Sequence, residues 1–166
     1  LSAQLRPTSA FTLSAAAGLY HQPPDAADLS AVFGSTSLGN STGLHAVLGA
    51  TVKPFEFLSV EGTAFFKTAS ALAARSPIAT PAVAQALVGT GEGRSYGGQI
   101  VLRPGTWKWL SGWASYALSR AERRSAPGSP WRLFDFDQTH VFVLAASVAL
   151  PAGFRVGPRL RASTGF

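Results

Sequence analysis

The sequence predicts an all-β chain, a run of antiparallel strands from a transmembrane β-barrel, about eight of them in 166 residues. Three observations carry that expectation: charge is scarce, apolar and polar residues alternate at a period of two, and short connections alternate with long ones.

Charged residues make up 13% of the chain, about half the roughly 25% usual for soluble proteins. Apolar residues reach 46%, and mean hydropathy is +0.18. So little charge cannot coat a globule of this size, so much of the surface meets something other than water. No stretch supplies the ~20 consecutive apolar residues of a membrane helix. The greasiest run, 141–150, is about half that length and contains Ser147. A closed barrel is the other way to satisfy every backbone polar group inside a bilayer. With no cysteine, the chain has no disulfide framework and no thiolate metal site. It has no methionine and opens on Leu1 without a signal-peptide pattern, which reads as an excerpt of a longer precursor. The net charge is +6 with a pI near 10.5, but the arginines are spread thinly among strands rather than clustered as nucleic-acid binding requires.

The first element is a tight turn, Pro7-Thr8-Ser9. Beyond it Phe11, Leu13, Ala15, Ala17 and Leu19 oppose Thr12, Ser14, Ala16, Gly18 and Tyr20, because successive strand side chains point to opposite faces. A long polar connection, about 21–42, comes next. Leu44, Ala46, Leu48, Ala50 and Val52 then oppose His45, Val47, Gly49, Thr51 and Lys53. The turn Lys53-Pro54-Phe55 leads to Leu58, Val60, Gly62, Ala64 and Phe66, set against Phe57, Ser59, Glu61, Thr63, Phe65 and Lys67. A second long loop, about 68–92, contains Thr80 as a helix N-cap, Pro81 at a first helical position and Gly89 as a stop; a short helix and a disordered alanine-rich segment both fit. Tyr96, Gly98, Ile100 and Leu102 next oppose Ser95, Gly97, Gln99, Val101 and Arg103. After Pro104-Gly105-Thr106, the segment 109–121 places Trp113 among serines and Leu110, Tyr116 and Leu118 on the other parity. A third loop, about 122–137, precedes 138–150, which is apolar on both faces through its middle. Pro151-Ala152-Gly153 then turns into 154–166. There Phe154, Val156, Pro158, Leu160, Ala162, Thr164 and Phe166 oppose Arg155, Gly157, Arg159, Arg161, Ser163 and Gly165.

Short and long connections therefore alternate strictly. Outer-membrane barrels sort loop length by end in this way, with short periplasmic turns and long outer loops. Eleven residues at ~3.3 Å each, tilted about 40°, cover roughly 25–28 Å, which matches the apolar band of such barrels. Aromatics sit near strand ends as two interfacial girdles would: Phe55, Trp107, Trp109 and Phe154 by the turns, Tyr20, Phe66, Tyr96 and Trp131 by the loops. If the turns are periplasmic, Phe166 lies on the outer side and is not a terminal assembly signal.

Gly18-Leu19-Tyr20-His21-Gln22-Pro23-Pro24, Gly93-Arg94-Ser95-Tyr96-Gly97, Trp113-Ala114-Ser115-Tyr116-Ala117-Leu118-Ser119-Arg120 and Phe134-Asp135-Phe136-Asp137-Gln138-Thr139-His140 together resemble the barrels of TonB-dependent receptors. The resemblance covers nearly the whole chain and places it among the later strands. It implies a barrel of about 22 strands, an N-terminal plug, and TonB-driven uptake of a scarce nutrient such as a metal-siderophore or cobalamin-like ligand. Neither plug nor TonB box lies in this sequence, so the whole chain, 1–166, is expected to be one partial barrel domain. Gln99 stands where many relatives carry an acidic residue. Pro158 removes a ladder hydrogen bond inside a strand and suggests a bulge there.

Candidate site residues follow from parity. Arg155, Arg159 and Arg161 share the polar parity, as do Gln99, Glu61 and His45; all six are lumen-facing candidates, the arginines meeting acidic plug groups or an anionic solute. Arg120, Arg123 and Arg124 lead from a strand into an outer loop, where lipopolysaccharide phosphates are the expected partners. Asp135, Asp137 and His140 read as a loop-to-strand junction, because metal sites need several converging ligands. His21, His45 and His140 lie in different elements with no Gly-x-Ser-x-Gly. The sequence thus predicts no catalytic residue, no metal site and no cofactor. It predicts outer-membrane lipid as a partner and leaves the transported molecule unnamed. A passive porin, a small eight-stranded barrel and, third, a soluble β-sandwich binding module are the alternatives. Eight strands cut from a wide barrel cannot close at native curvature, so the segment alone is not expected to fold stably.

Overall fold

The computed structural model describes residues 1–105 and 109–165. Its strands are β1 (Ser2–Thr8), β2 (Phe11–Gln22), β3 (Ser41–Phe55), β4 (Leu58–Arg75), β5 (Leu87–Pro104), β6 (Leu110–Arg124), β7 (Arg132–Leu133), β8 (His140–Ala149), β9 (Arg155–Val156) and β10 (Arg159–Ser163). All ten pair antiparallel in one sheet, ordered β1-β2-β3-β4-β5-β6-β8-β10. The short β7 pairs with β6, and β9 with β8, so eight strand positions span the sheet, as the sequence predicts. The sheet is not closed: β1 and β10 are its edges.

The register turns strand-by-strand alternation into a property of the whole sheet. One cross-strand row reads Leu13, Ala50, Gly62, Ile100, Tyr116, Phe142 and Ala162. The neighbouring row on the same face reads Phe11, Val52, Val60, Leu102, Ala114, Leu144 and Leu160. Every apolar parity identified in the sequence lands on this one face. A slip of one residue at any strand pair would flip that strand's set to the other side. Leu48, Ile100 and Leu160 are each more than half exposed, and no second sheet covers them among the described residues. A sandwich core needs such a layer. Each leucine left in water forgoes about 1.5–3 kcal/mol of burial, so this face requires an apolar environment that the sheet itself does not supply.

Loop lengths sort by end. Thr8 pairs with Phe11 and Phe55 with Leu58, so two hairpins have two-residue connections. The second of these is Glu56-Phe57, later than the predicted Lys53-Pro54-Phe55, because β3 runs on through Pro54 after a register shift. The third connection lies between Pro104 and Leu110; the predicted turn residue Thr106 and girdle residue Trp107 lie outside the described residues, as does Phe166. The fourth is a 3-10 turn, Pro151–Gly153, with Ala152 at φ 63° and Gly153 at φ 81°.

Two expectations are corrected. Residues 80–89 form no helix: 82–85 make a turn, with Gln85 N–H donating to Ala82 O at 3.0 Å, and Leu87 onward belongs to β5. The few residues between cap and stop cannot offset helix nucleation when Leu87 can pair with Arg75 instead. Pro158 does interrupt the last strand, but without a bulge. Val156 pairs with Val148 and Arg159 with Ala145, so the register is unbroken and the gap is the missing proline N–H. Pro158 O still accepts from Ala146 N–H at 3.1 Å.

Candidate functional site

On the polar face, one row reads Ser14, Gly49, Thr63, Gln99, Ala117, Val141 and Ser163. The next reads Thr12, Thr51, Glu61, Val101, Ser115, Val143 and Arg161. His45 lies beyond them, between Gly18 and Lys67. Arg159 pairs with Ala145, beside Trp113, and Arg155 with Ala149. Backbone register thus brings all six residues of the first set, Arg155, Arg159, Arg161, Gln99, Glu61 and His45, to one face. It does not bring them together as a cluster, since they span the sheet from β3 to β10.

Their individual contacts differ. Glu61 Oε2 accepts from Arg103 Nη1 at 2.5 Å. Arg161 Nη2 donates to Gln138 Oε1 at 3.0 Å. The His45 ring lies 4.5 Å from the Tyr20 ring, centroid to centroid. Tyr20 is therefore on the polar face, whereas Phe66 and Tyr96 form a cross-strand pair on the apolar one. The loop-side girdle expected from sequence divides between the two faces accordingly.

The three arginines Arg120, Arg123 and Arg124 separate as well, because neighbours in a strand point to opposite sides. Arg123 lies on the polar side, stacked 4.4 Å from the Phe134 ring and directly opposite Arg132. Arg120 and Arg124 leave the apolar side and join residues that sequence reasoning missed. Glu122 Oε2 accepts from Arg94 Nε at 2.6 Å and its Oε1 from Arg120 Nε at 2.8 Å. Glu92 Oε2 accepts from Arg124 Nε at 2.6 Å. The guanidinium groups of Arg94 and Arg124 lie over the Trp131 ring at 4.3 and 4.6 Å, within cation–π range. Glu92 and Arg94 share the parity of Tyr96, a signal that could have found them.

At the end of the sheet with the long loops, a cleft of about 460 Å³ is lined by Arg75, Arg123, Arg132 and Asp135, among others. Asp137, by contrast, is fully engaged at a junction: its Oδ1 accepts from Ala121 N–H at 2.6 Å and its Oδ2 from Thr139 Oγ1 at 2.8 Å. The His140 ring nitrogen Nδ1 is 2.7 Å from Tyr116 Oη. Among the described residues, no three His, Cys, Asp or Glu side chains are grouped to hold a metal ion.

Solved structures share the fold of this sheet. The FrpB iron transporter from Neisseria meningitidis (F3-3 variant) superposes on 96% of the chain with a TM-score of 0.75 at 12% identity. The chain has the fold of a β-barrel segment. The ferric-catecholate import receptor Fiu from Escherichia coli K12 matches the segment with a TM-score of 0.73 over 96% of the chain at 14% identity. The apoprotein form of FrpB (F5-1 variant) gives 0.72 at 12% identity. The segment spans about a quarter of each of those chains, 25%, 23% and 26%. No family model matches it, and no curated protein does.

Proposed function

We propose that the chain is a barrel portion of a TonB-dependent outer-membrane receptor, which takes up a scarce nutrient such as a metal-siderophore or a cobalamin-like ligand. One observation carries this reading: the apolar residues of eight strand positions fall on a single face that no second sheet covers among the described residues, in a sheet whose fold is that of iron-transporter barrel strands. The apolar face meets lipid, and the face bearing Glu61, Gln99, Arg155, Arg159 and Arg161 meets the barrel interior and its plug. Plug and TonB are partners through this reading, and the protein acts by binding and transport rather than by catalysis. The cleft lined by Arg75, Arg123 and Arg132 lies at the end with the long loops, where a ligand would arrive.

The test is uptake by intact cells. Deleting the gene that carries this segment is expected to abolish growth on one limiting iron chelate or corrinoid, and removing TonB energisation is expected to reproduce that loss. Uptake that persists without TonB, together with a steady open conductance of the purified protein in planar bilayers, would favour the passive porin instead.

A further inference from the structure

The cluster around Glu122 sits on the apolar side of the sheet, and its placement against lipid rests on the receptor reading proposed for the chain. Leu19, Leu44, Thr68, Arg94, Glu122 and Leu133 form one cross-strand row. The next row toward the tight turns holds Ala17, Ala46, Phe66, Tyr96 and Arg120. The arginines therefore leave the apolar side at and just beyond the Phe66–Tyr96 pair. Two residues along a tilted strand correspond to roughly 5 Å of depth. That depth is where hydrocarbon gives way to headgroups if Tyr96 marks the interface, as aromatic girdles do.

The network is built to hold guanidinium groups with donors to spare. Three arginines, Arg94, Arg120 and Arg124, are set against two carboxylates, Glu92 and Glu122, which leaves one positive charge in excess. The carboxylate of Glu122 engages the Nε edge of both Arg94 and Arg120. Each guanidinium has five N–H donors, so the Nη groups of these two remain for another acceptor. Glu122 is nearly buried, whereas the side chain of Arg120 is 53% exposed and that of Arg94 37%. Trp131 packs against two of the guanidinium planes and fixes their tilt. A planar, pre-oriented guanidinium pair is the arrangement that recognises phosphate through paired N–H bonds.

We propose that Arg94 and Arg124, stacked on Trp131, together with Arg120, held by Glu122, bind the phosphates of a phosphorylated glycolipid headgroup in the outer leaflet. Arg123, which points to the other face, takes no part.

The test uses the full-length protein, delipidated and held in zwitterionic detergent, with bound lipid counted by native mass spectrometry. Bisphosphorylated lipid A, the same lipid stripped of phosphate, and inorganic phosphate are the three probes. The phosphorylated lipid is expected to bind at least about tenfold more tightly than the stripped one, as loss of charge-assisted hydrogen bonds implies. Equimolar inorganic phosphate is expected not to displace it. Arg120→Gln with Arg124→Gln is expected to weaken lipid binding about tenfold, while Arg155→Gln with Arg159→Gln, the same charge loss on the opposite face, leaves it unchanged. Heat-modifiable gel mobility reports whether each variant folds. Should the first double variant not fold, Arg120→Gln alone, at the most exposed of the three, is expected to show a smaller loss in the same direction. Equal binding of the stripped lipid, equal loss in both double variants, or displacement by inorganic phosphate overturns the assignment. A folded protein that still imports its nutrient but shows no phosphate preference sinks this inference alone; one that never acquires a detergent-dependent barrel fold sinks the membrane reading beneath it.

Discussion

Leu48 and Gln99 lie on opposite faces of the same sheet, and their substitution separates the two environments. Leu48→Arg places a charge among the apolar rows and is expected to cost about 2–4 kcal/mol of barrel stability if it lies near the bilayer midplane. Gln99→Arg on the polar face is expected to stay within about 0.5 kcal/mol. Urea titrations of the full-length protein folded into phospholipid vesicles measure both; equal costs would remove the distinction between faces. Ala71 adopts φ 56° where the β4–β5 register shifts, a left-handed conformation that costs a Cβ-bearing residue about 1 kcal/mol or more. Ala71→Gly is expected to raise stability by up to about 1 kcal/mol in the same titration. The Glu61–Arg103 pair is half exposed on the Arg103 side, so Glu61→Gln should cost less than about 1 kcal/mol. At this scale parity was legible, because a period of two assigns each side chain a face from its position alone. The ion pairs of the Glu122 cluster were not: Arg94 is 28 residues from Glu122 and Glu92 is 32 from Arg124, and only register reveals them.

Each strand's existence was readable from alternation, but its end was not. β4 and β5 run 18 residues each, well past the eleven or so that the apolar band demands. Their outer halves are rich in alanine, serine, threonine and glycine, which carry little hydropathy contrast, and the same composition read as loop. A lone proline and an N-cap threonine suggested a helix there, and pairing between Arg75 and Leu87 prevailed. The last strand offers a sharper test of element-level reasoning. Because register survives across Pro158, Pro158→Ala is expected to restore one ladder hydrogen bond with Ala146, contributing about 0.5–1.5 kcal/mol, and to protect the new amide from hydrogen exchange. An unprotected amide at that position would mean that the backbone gap has another cause. Gly97 makes the converse case: a Cβ there would collide with Leu118 O and stand 2.7 Å from Ser119 Cα. Gly97→Val is expected to force β5 and β6 apart and to lower the yield of heat-modifiable barrel.

Considered whole, the described residues form one layer with two contrasting faces, edged by β1 and β10. The fold class was legible because three independent signals agreed: scarce charge, alternation, and loop length sorted by end. The cleft of Arg75, Arg123 and Arg132 was not, since its walls come from three separate segments. The length of β4 and β5 has a further consequence. Eighteen residues at ~3.3 Å, tilted about 40°, rise roughly 45 Å, against an apolar band of about 25 Å. This hairpin would then rise well past that band, paired with β3 and β6 along much of its height and braced at its tip by the neighbouring long loop, where Ala86 N–H donates to Gly34 O at 3.2 Å.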